Sequence, residues 1–105
     1  MMKAMTEEKV AMAEEIPDGE IRGYRIGEDQ VLVANVGGVF YGMNNVCTHN
    51  GCRISGGILR GDVVQCPCHG SQFNVRTGEV VHGPAKKAET VRKVIVRDGG
   101  LYIGA

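Results

Sequence analysis

Short stretches of alternating apolar and polar residues follow one another along most of the chain, and turn-forming residues separate them. The clearest stretches are residues 21–26, 31–36 and 39–43, which are rich in the β-branched and aromatic residues that strands favour. Gly37-Gly38 joins the last two through a two-residue connection of the kind that closes a hairpin. The pattern predicts an antiparallel meander in the first half of the chain.

The same pattern continues to the end of the chain. Further strands are predicted at residues 7–13, 55–59, 62–65, 72–75, 79–82, 90–96 and 101–103. The first of these also fits a helix, but the turn Pro17-Asp18-Gly19 that follows favours a strand. Regularly spaced short strands with turn signals between them indicate an all-β sandwich or barrel.

Length and charge narrow the class of protein. The 105 residues predict one domain over residues 1–105, and a chain of this size buries only about two thirds of its unfolded surface. A metal or a disulfide is therefore a plausible contributor to stability.

Twelve basic and twelve acidic residues balance, and no dense run of one sign suggests a nucleic-acid partner. No stretch has the apolar length of a membrane span or a signal sequence, so a cytoplasmic location is expected.

Cysteine and histidine are concentrated in two short segments, residues 47–52 (CTHNGC) and 66–71 (CPCHGS). Two thiolates and two imidazoles approached by separate loops make a four-ligand metal site. Zinc also accepts such ligands, but its ligand pairs usually stand two to four residues apart, and Cys47 and His49 are closer than that. An iron–sulfur site is favoured, and a structural zinc or redox-switch module is the alternative.

The two segments resemble the cluster-binding loops of the Rieske iron–sulfur proteins, in which two imidazoles replace two thiolates on one iron of a [2Fe–2S] centre. The resemblance implies that Cys47 and Cys66 bind the inner iron and that His49 and His69 bind the outer one, with one cluster per chain. Neutral imidazoles in place of anionic sulfurs make the cluster easier to reduce. The potential is then expected between about −150 and +300 mV, against about −400 mV for all-cysteine clusters.

The resemblance covers roughly residues 21–103 and implies the Rieske fold. In that fold a small cluster-binding subdomain, here about residues 45–84, is inserted into an antiparallel β-sandwich or barrel base. It also implies a loop-bridging disulfide between Cys52 and Cys68, which lie in the same two loops at places expected to match. A cytosolic chain normally keeps its thiols reduced, so free thiols are the alternative.

Five further residues fit or depart from the family pattern. Gly51 and Gly70 are expected to let backbone N–H groups approach sulfur, because they have no Cβ. By resemblance, Ser71 donates a hydrogen bond to a bridging sulfide, and Pro84 belongs to a loop that covers the cluster. Phe73 departs from the pattern, because high-potential members have tyrosine there.

The function implied by the resemblance is that of a soluble one-electron carrier rather than an enzyme. Its partners would be a reductase and a terminal oxidoreductase, which dock at the His49/His69 edge. The alternative is a Rieske component of a nitrite reductase or of a ring-hydroxylating dioxygenase system. A complete Rieske oxygenase is excluded, because its mononuclear iron needs two histidines and a carboxylate and only His82 is left. Basic residues in or beside the expected insert predict an acidic partner surface: Arg53, Arg60, Arg76, Lys86 and Lys87.

Overall fold

The computed structural model describes residues 7–48 and 51–104, and within them eleven strands form three antiparallel sheets. The strands are β1 (Glu8–Met12), β2 (Ile21–Ile26), β3 (Asp29–Val36), β4 (Val39–Asn44), β5 (Ile58–Arg60), β6 (Val63–Gln65), β7 (Gln72–Asn74), β8 (Val80–His82), β9 (Val91–Arg92), β10 (Val94–Arg97) and β11 (Gly100–Ile103). The all-β class predicted from the sequence is confirmed.

Two of the sheets join the beginning of the chain to its end. One has the strand order β1-β11-β10, and the other has the order β2-β3-β4-β9. Strands β2, β3 and β4 form the predicted meander, and its tight connection places Val36 opposite Val39. Apolar residues of the two sheets, including Val31, Val33 and Leu101, form one hydrophobic core with Ile16, and these four are inaccessible to solvent.

The third sheet contains the four consecutive strands β5-β6-β7-β8. Its inward-facing side chains include Val64 and Phe73, which pair across β6 and β7. They pack in a second core with Leu32 and Met43 of the meander, and all four are fully buried. Burial of each such side chain contributes about 1.5–3 kcal/mol. The connection between β6 and β7 is the second Cys/His segment, so this core supports the candidate site directly.

A pair of polar side chains fixes the approach to the first Cys/His segment. Asn45, which is 2% exposed, donates from Nδ2 to Ser55 Oγ at 2.8 Å and accepts the Ser55 N–H at 2.7 Å. An isolated bridge between Val46 and Arg53 lies between them. The two ends of the first loop are therefore held together before the ligands begin.

Three predicted elements differ from the structure. The strand predicted at 55–59 begins only at Ile58, because residues before it form a one-turn 3₁₀ helix, Ile54–Gly56, that buries the Ile54 side chain. The strand predicted at 90–96 is two strands, because β9 pairs with β4 and β10 pairs with β11. The first predicted strand ends at Met12, and a 3₁₀ turn, Ala13–Glu15, follows it.

Membrane insertion by a helix finds no support in residues 7–48 and 51–104. None of their helices has the length and apolar character that crossing a bilayer requires.

Candidate metal centre

The first Cys/His loop closes on itself through backbone hydrogen bonds. The Cys47 N–H donates to the Cys52 carbonyl at 2.8 Å, and the Gly51 N–H donates to the Cys47 carbonyl at 2.9 Å. Gly51 has φ of 81°, a conformation that costs glycine little and other residues more. His49, the second ligand predicted in this loop, lies outside the described residues together with Asn50.

The second loop repeats this arrangement. The Cys66 N–H donates to the Ser71 carbonyl at 2.7 Å, and the Gly70 N–H donates to the Cys66 carbonyl at 3.1 Å. Gly70 has φ of 80°, nearly the value of its counterpart Gly51. The two loops therefore present their first cysteine in the same way.

This likeness corrects one expectation from the sequence. Cys52 and Cys68 were expected at matching places, but the hydrogen bonds make Ser71 the counterpart of Cys52. Cys68 is only two residues after the first cysteine of its loop. A disulfide nevertheless joins Cys52 to Cys68, with their Cα atoms 6.5 Å apart. The bond ties the two loops to each other.

The two cysteines outside the disulfide are the buried ones. Cys47 is 2% exposed and Cys66 is 1% exposed, and their thiols are hydrogen-bonded to each other. Burial raises the pKa of the Cys66 thiol, and the neighbouring Cys47 raises it further. The backbone N–H groups of Cys68 and His69 point at the Cys66 sulfur and oppose this rise. A metal that binds such thiols must displace their protons, and the N–H groups are already placed to stabilise the resulting thiolate.

His69 is exposed and lies three residues after the buried Cys66. Its loop therefore offers a buried sulfur on the inside and an exposed imidazole on the outside. This separation is the one that a Rieske centre needs, because thiolates bind one iron and imidazoles bind the other. The third histidine, His82, is also exposed, at the end of β8 opposite Gln72.

A buried serine connects the second loop to the segment that covers it. Ser71 is 1% exposed, and its Oγ accepts the Ala85 N–H at 3.0 Å. Because that bond uses a lone pair, the hydroxyl proton remains able to donate elsewhere. Pro84, which precedes Ala85, follows a cis peptide bond. Phe73 is fully buried in the same core as Cys47 and Cys66.

The sequence analysis missed one residue beside the site. Glu89 is 5% exposed, and its Oε2 accepts the Thr48 N–H at 2.9 Å. Burial raises the pKa of this carboxyl to about 7, although the hydrogen bond from Thr48 opposes the rise. The two residues are 41 positions apart, so no local pattern could have indicated the contact. Glu89 directly precedes the strand predicted at 90–96, and nothing in the neighbouring sequence marks it.

The chemistry of these groups fits a [2Fe–2S] cluster. In the described part of the chain, no three His, Cys, Asp or Glu side chains converge as ligands of one ion. A Rieske centre does not require such a group, because its four ligands are divided two and two between the irons. Paired buried thiols, N–H groups directed at sulfur and an outward imidazole provide what the cluster needs.

Fold and site together define a small all-β iron–sulfur protein. Comparison with protein families agrees, since residues 6–97 match the Rieske [2Fe-2S] domain. The chain therefore belongs to the Rieske family, and it carries one [2Fe–2S] cluster and transfers electrons. This membership decides against the zinc alternative.

Individual proteins support the assignment. Ferredoxin CarAc of Metapseudomonas resinovorans is 38% identical over 96 residues, which are 90% of each chain. The cytochrome b6-f complex iron-sulfur subunit of Chlorobaculum thiosulfatiphilum is 37% identical over 83 residues, but the match spans only 45% of that protein.

A solved structure shows the same fold. The complex of reduced oxygenase and oxidized ferredoxin in carbazole 1,9a-dioxygenase contains a chain that superposes with a TM-score of 0.89 and 37% identity. The match covers 94% of this chain and 93% of that one.

Proposed function

We propose that the chain is the ferredoxin component of a multicomponent oxygenase system and carries one electron at a time from a reductase to a terminal oxygenase. The observation that carries the proposal is the match over 90% of both chains to a ferredoxin of about this size. The match to a cytochrome-complex subunit spans less than half of that protein. A solved structure that superposes with a TM-score of 0.89 at 37% identity is a complex of a ferredoxin with an oxygenase.

The ligand assignment is part of this proposal. Cys47 and Cys66 hold the inner iron, and His49 and His69 hold the outer iron. The burial of both thiols and the exposure of His69 support this division. When bound, the cluster accepts and releases a single electron, and the protein contributes an insulated sulfur side and an accessible imidazole side.

The surrounding residues adjust the centre rather than react. The Ser71 hydroxyl would donate its proton to a sulfide of the cluster, and the hydrogen bond from the Ala85 N–H holds the hydroxyl in place. Gly51 and Gly70 allow the two loops their shared conformation. Phe73 fills the space behind the thiols without a donor, and Pro84 covers a third side of the cluster.

We also propose that residues of about 45–84 act as a cluster-binding subdomain on the β base. The consecutive strands of the third sheet and the two loops support this boundary, since β5 to β8 pair only with one another. A cytoplasmic location belongs to the same proposal and is supported by the similarity to ferredoxin components of dioxygenase systems.

Partner docking is proposed at the edge that carries His49 and His69, and the exposure of His69 supports it. Five basic residues were expected to attract an acidic partner, and the strand register places two of them away from the cluster loops. Arg60 pairs with Val63 at the end of β6 that lies away from the 66–71 loop, and Arg76 follows the matching end of β7. Arg76 also lies 3.8 Å from Asp62 and over the Tyr41 ring.

The other basic residues remain close to the loops. Arg53 flanks the first loop through its bridge with Val46. Lys86 follows Ala85, which contacts Ser71 of the second loop, and the Lys87 carbonyl accepts the Thr48 hydroxyl. These three residues replace the five expected from the sequence as the basic part of the docking surface.

Electron transfer between purified proteins tests the proposal. The protein should be reduced by a dioxygenase-type reductase with NADH and reoxidised by an aromatic-ring oxygenase in its oxidised state, with the visible spectrum monitored by stopped flow. A four-cysteine ferredoxin is the control for partner selectivity. Reduction that never passes on to any oxygenase of this class would contradict the assigned partner.

A further inference from the structure

Residues 87–89 lie against the first cluster loop and contact it at Thr48, which separates the two proposed ligands of that loop. The Thr48 hydroxyl donates to the Lys87 carbonyl at 2.6 Å. The Thr48 N–H donates to Glu89 Oε2 at 2.9 Å. Both hydrogen-bond donors of Thr48 are therefore bound by one segment of three residues.

Glu89 is itself held firmly in place. Its N–H donates to the Gly78 carbonyl at 2.8 Å, and the carbonyl of the next residue, Thr90, accepts the Asn44 N–H at 2.8 Å. Gly78 has φ of 81°, and a Cβ there would collide with the Glu89 carbonyl oxygen. The close approach of the two backbones thus fixes Glu89 between the β7–β8 turn and the end of β4.

A buried carboxylate at this position costs stability that an apolar side chain would not. This loss of stability is offset in part where the carboxylate accepts a hydrogen bond that an apolar side chain cannot accept. Glu89 is 5% exposed, and its Oε2 accepts the Thr48 N–H. That N–H belongs to the peptide linking Cys47 to Thr48, so its direction sets how the chain leaves the buried thiol.

We propose that Glu89 is a positioning residue that holds the peptide between Cys47 and Thr48 in the orientation needed for cluster binding. The inference rests on the proposed ligand assignment. The carboxylate supplies a charged acceptor that orients the peptide, and the Lys87 carbonyl fixes the threonine side chain.

The charge of Glu89 has a second consequence. The carboxylate lines a cavity of about 430 Å³ with Thr48, Lys87, Glu28 and Asp29. Lys87 attracts a negative charge there, whereas Glu28 and Asp29 repel it. An ionised Glu89 so near Cys47 opposes the arrival of an electron. Removing the charge while keeping the acceptor therefore raises the midpoint potential.

Glu89→Gln and Glu89→Ala separate the hydrogen bond from the charge. Gln keeps an acceptor for the Thr48 N–H, and Ala does not. Glu79→Gln is the matched control, because Glu79 is an exposed carboxylate in the same half of the chain. All three variants and the wild-type holoprotein are compared by the rate of cluster loss to a chelator, by electron paramagnetic resonance and by midpoint potential at pH 8.5.

The proposal expects Glu89→Ala to lose the cluster about tenfold faster and to show an altered resonance line shape, as the loss of one charge-assisted hydrogen bond implies. Glu89→Gln should keep the wild-type line shape and loss rate but have a higher potential. Glu79→Gln should match the wild type in all three. Wild-type kinetics and potential in both Glu89 variants would overturn the proposal.

Two further outcomes keep the test decisive. If Glu89→Ala does not fold, Glu89→Met, which fills more of the space without an acceptor, takes its place, and a wild-type loss rate and line shape in that variant overturn the positioning role. An unchanged potential with an unchanged spectrum in Glu89→Gln overturns the role of the charge. A wild-type protein without a Rieske signal would refute the ligand assignment instead, because that result does not depend on residue 89.

Discussion

At the scale of single residues, the second cluster loop combines a hydroxyl donor with an aromatic ring that has none. Ser71 accepts from the Ala85 N–H and keeps its own proton for the cluster. Phe73 is fully buried among the residues behind the thiols. In the family members that the sequence resembles, a tyrosine at this position donates to the sulfur of the first ligand cysteine. One hydrogen bond to sulfur is therefore absent.

Phe73→Tyr should raise the midpoint potential, because a donor to ligand sulfur stabilises the electron-rich reduced cluster more than the oxidised one. A rise on the order of 50 mV is expected, since only part of a charge-assisted hydrogen bond differs between the two redox states. Ser71→Ala should lower the potential by a similar amount. Voltammetry measures both. An unchanged potential with an intact spectrum in Phe73→Tyr would show that residue 73 does not face Cys47.

Glu89 should make stability depend on pH. Burial raises its pKa in the folded protein to about 7, above the ordinary value of 4.5. The folded state then binds the proton more tightly than the unfolded state, so the contribution to stability is greatest below pH 4.5 and is lost as pH rises through 7. A shift of this size corresponds to about 3 kcal/mol.

The denaturation midpoints of wild type and Glu89→Gln at pH 5 and pH 8 measure this effect. The wild type should lose stability relative to the variant over that interval, because Gln does not titrate. Equal differences at the two pH values would contradict the burial of an ionisable carboxyl at position 89.

At the scale of elements, the two cluster loops are joined by more than their common metal. The disulfide between Cys52 and Cys68 links residues 16 positions apart and connects one loop to the other. One core, which includes Ile16, Val31, Val33 and Leu101, contains no residue of the cluster loops or of the third sheet. Loop stability and base stability should therefore be separable.

Replacing Cys52 and Cys68 by serine should loosen the loops more than the base. A closed loop of this length contributes about 3 kcal/mol in the chain-entropy model. On heating, the visible absorption of the cluster should disappear at lower temperature than in the wild type, while the far-ultraviolet circular dichroism of the strands changes little. Simultaneous loss of both signals in the variant would contradict the separation.

Local sequence was sufficient to predict most elements but not their partners. The meander and its hairpin followed from alternation and Gly37-Gly38, because both signals are contained within a few residues. The segment 90–96 was predicted as one strand, since it is rich in β-branched residues and contains no turn-forming residue. The structure divides it because its two halves pair with strands of different sheets.

Part of the candidate site was also predictable, because most of its residues lie close together in the sequence. The four proposed ligands and the disulfide pair lie in two short segments whose spacing resembles a known family. Glu89 was missed because its contact with Thr48 crosses 41 residues and depends on how the base folds over the loop. The division of basic residues also needed the register, because Arg60 and Arg76 are close to the loops only along the chain.

At the scale of the whole molecule, positive charge near the cluster loops should guide the acidic surface of a partner. Lys86 is exposed beside Ala85, whereas Arg60 is exposed at the far end of the third sheet. Lys86→Gln and Arg60→Gln remove the same charge from the two places. Their comparison separates local attraction from net charge.

Lys86→Gln should slow electron transfer to the oxygenase several-fold at low ionic strength, and the difference should shrink as salt screens the charges. Arg60→Gln should have a much smaller effect. Stopped-flow rates over a range of salt concentrations measure this. Equal effects of the two substitutions would place the docking surface elsewhere.

In the proposed ligand assignment, the two buried thiolates of Cys47 and Cys66 and the imidazoles of His49 and His69 hold one electron-carrying cluster. Electron paramagnetic resonance of the reduced protein, combined with its iron content, tests this most directly in the wild type, His49→Ala, His69→Ala and His82→Ala. Wild type and His82→Ala should contain two irons per chain and give one Rieske-type signal, and the other two variants should lose it. A wild-type protein with one zinc and no iron, or a signal that survives His69→Ala, would contradict the account.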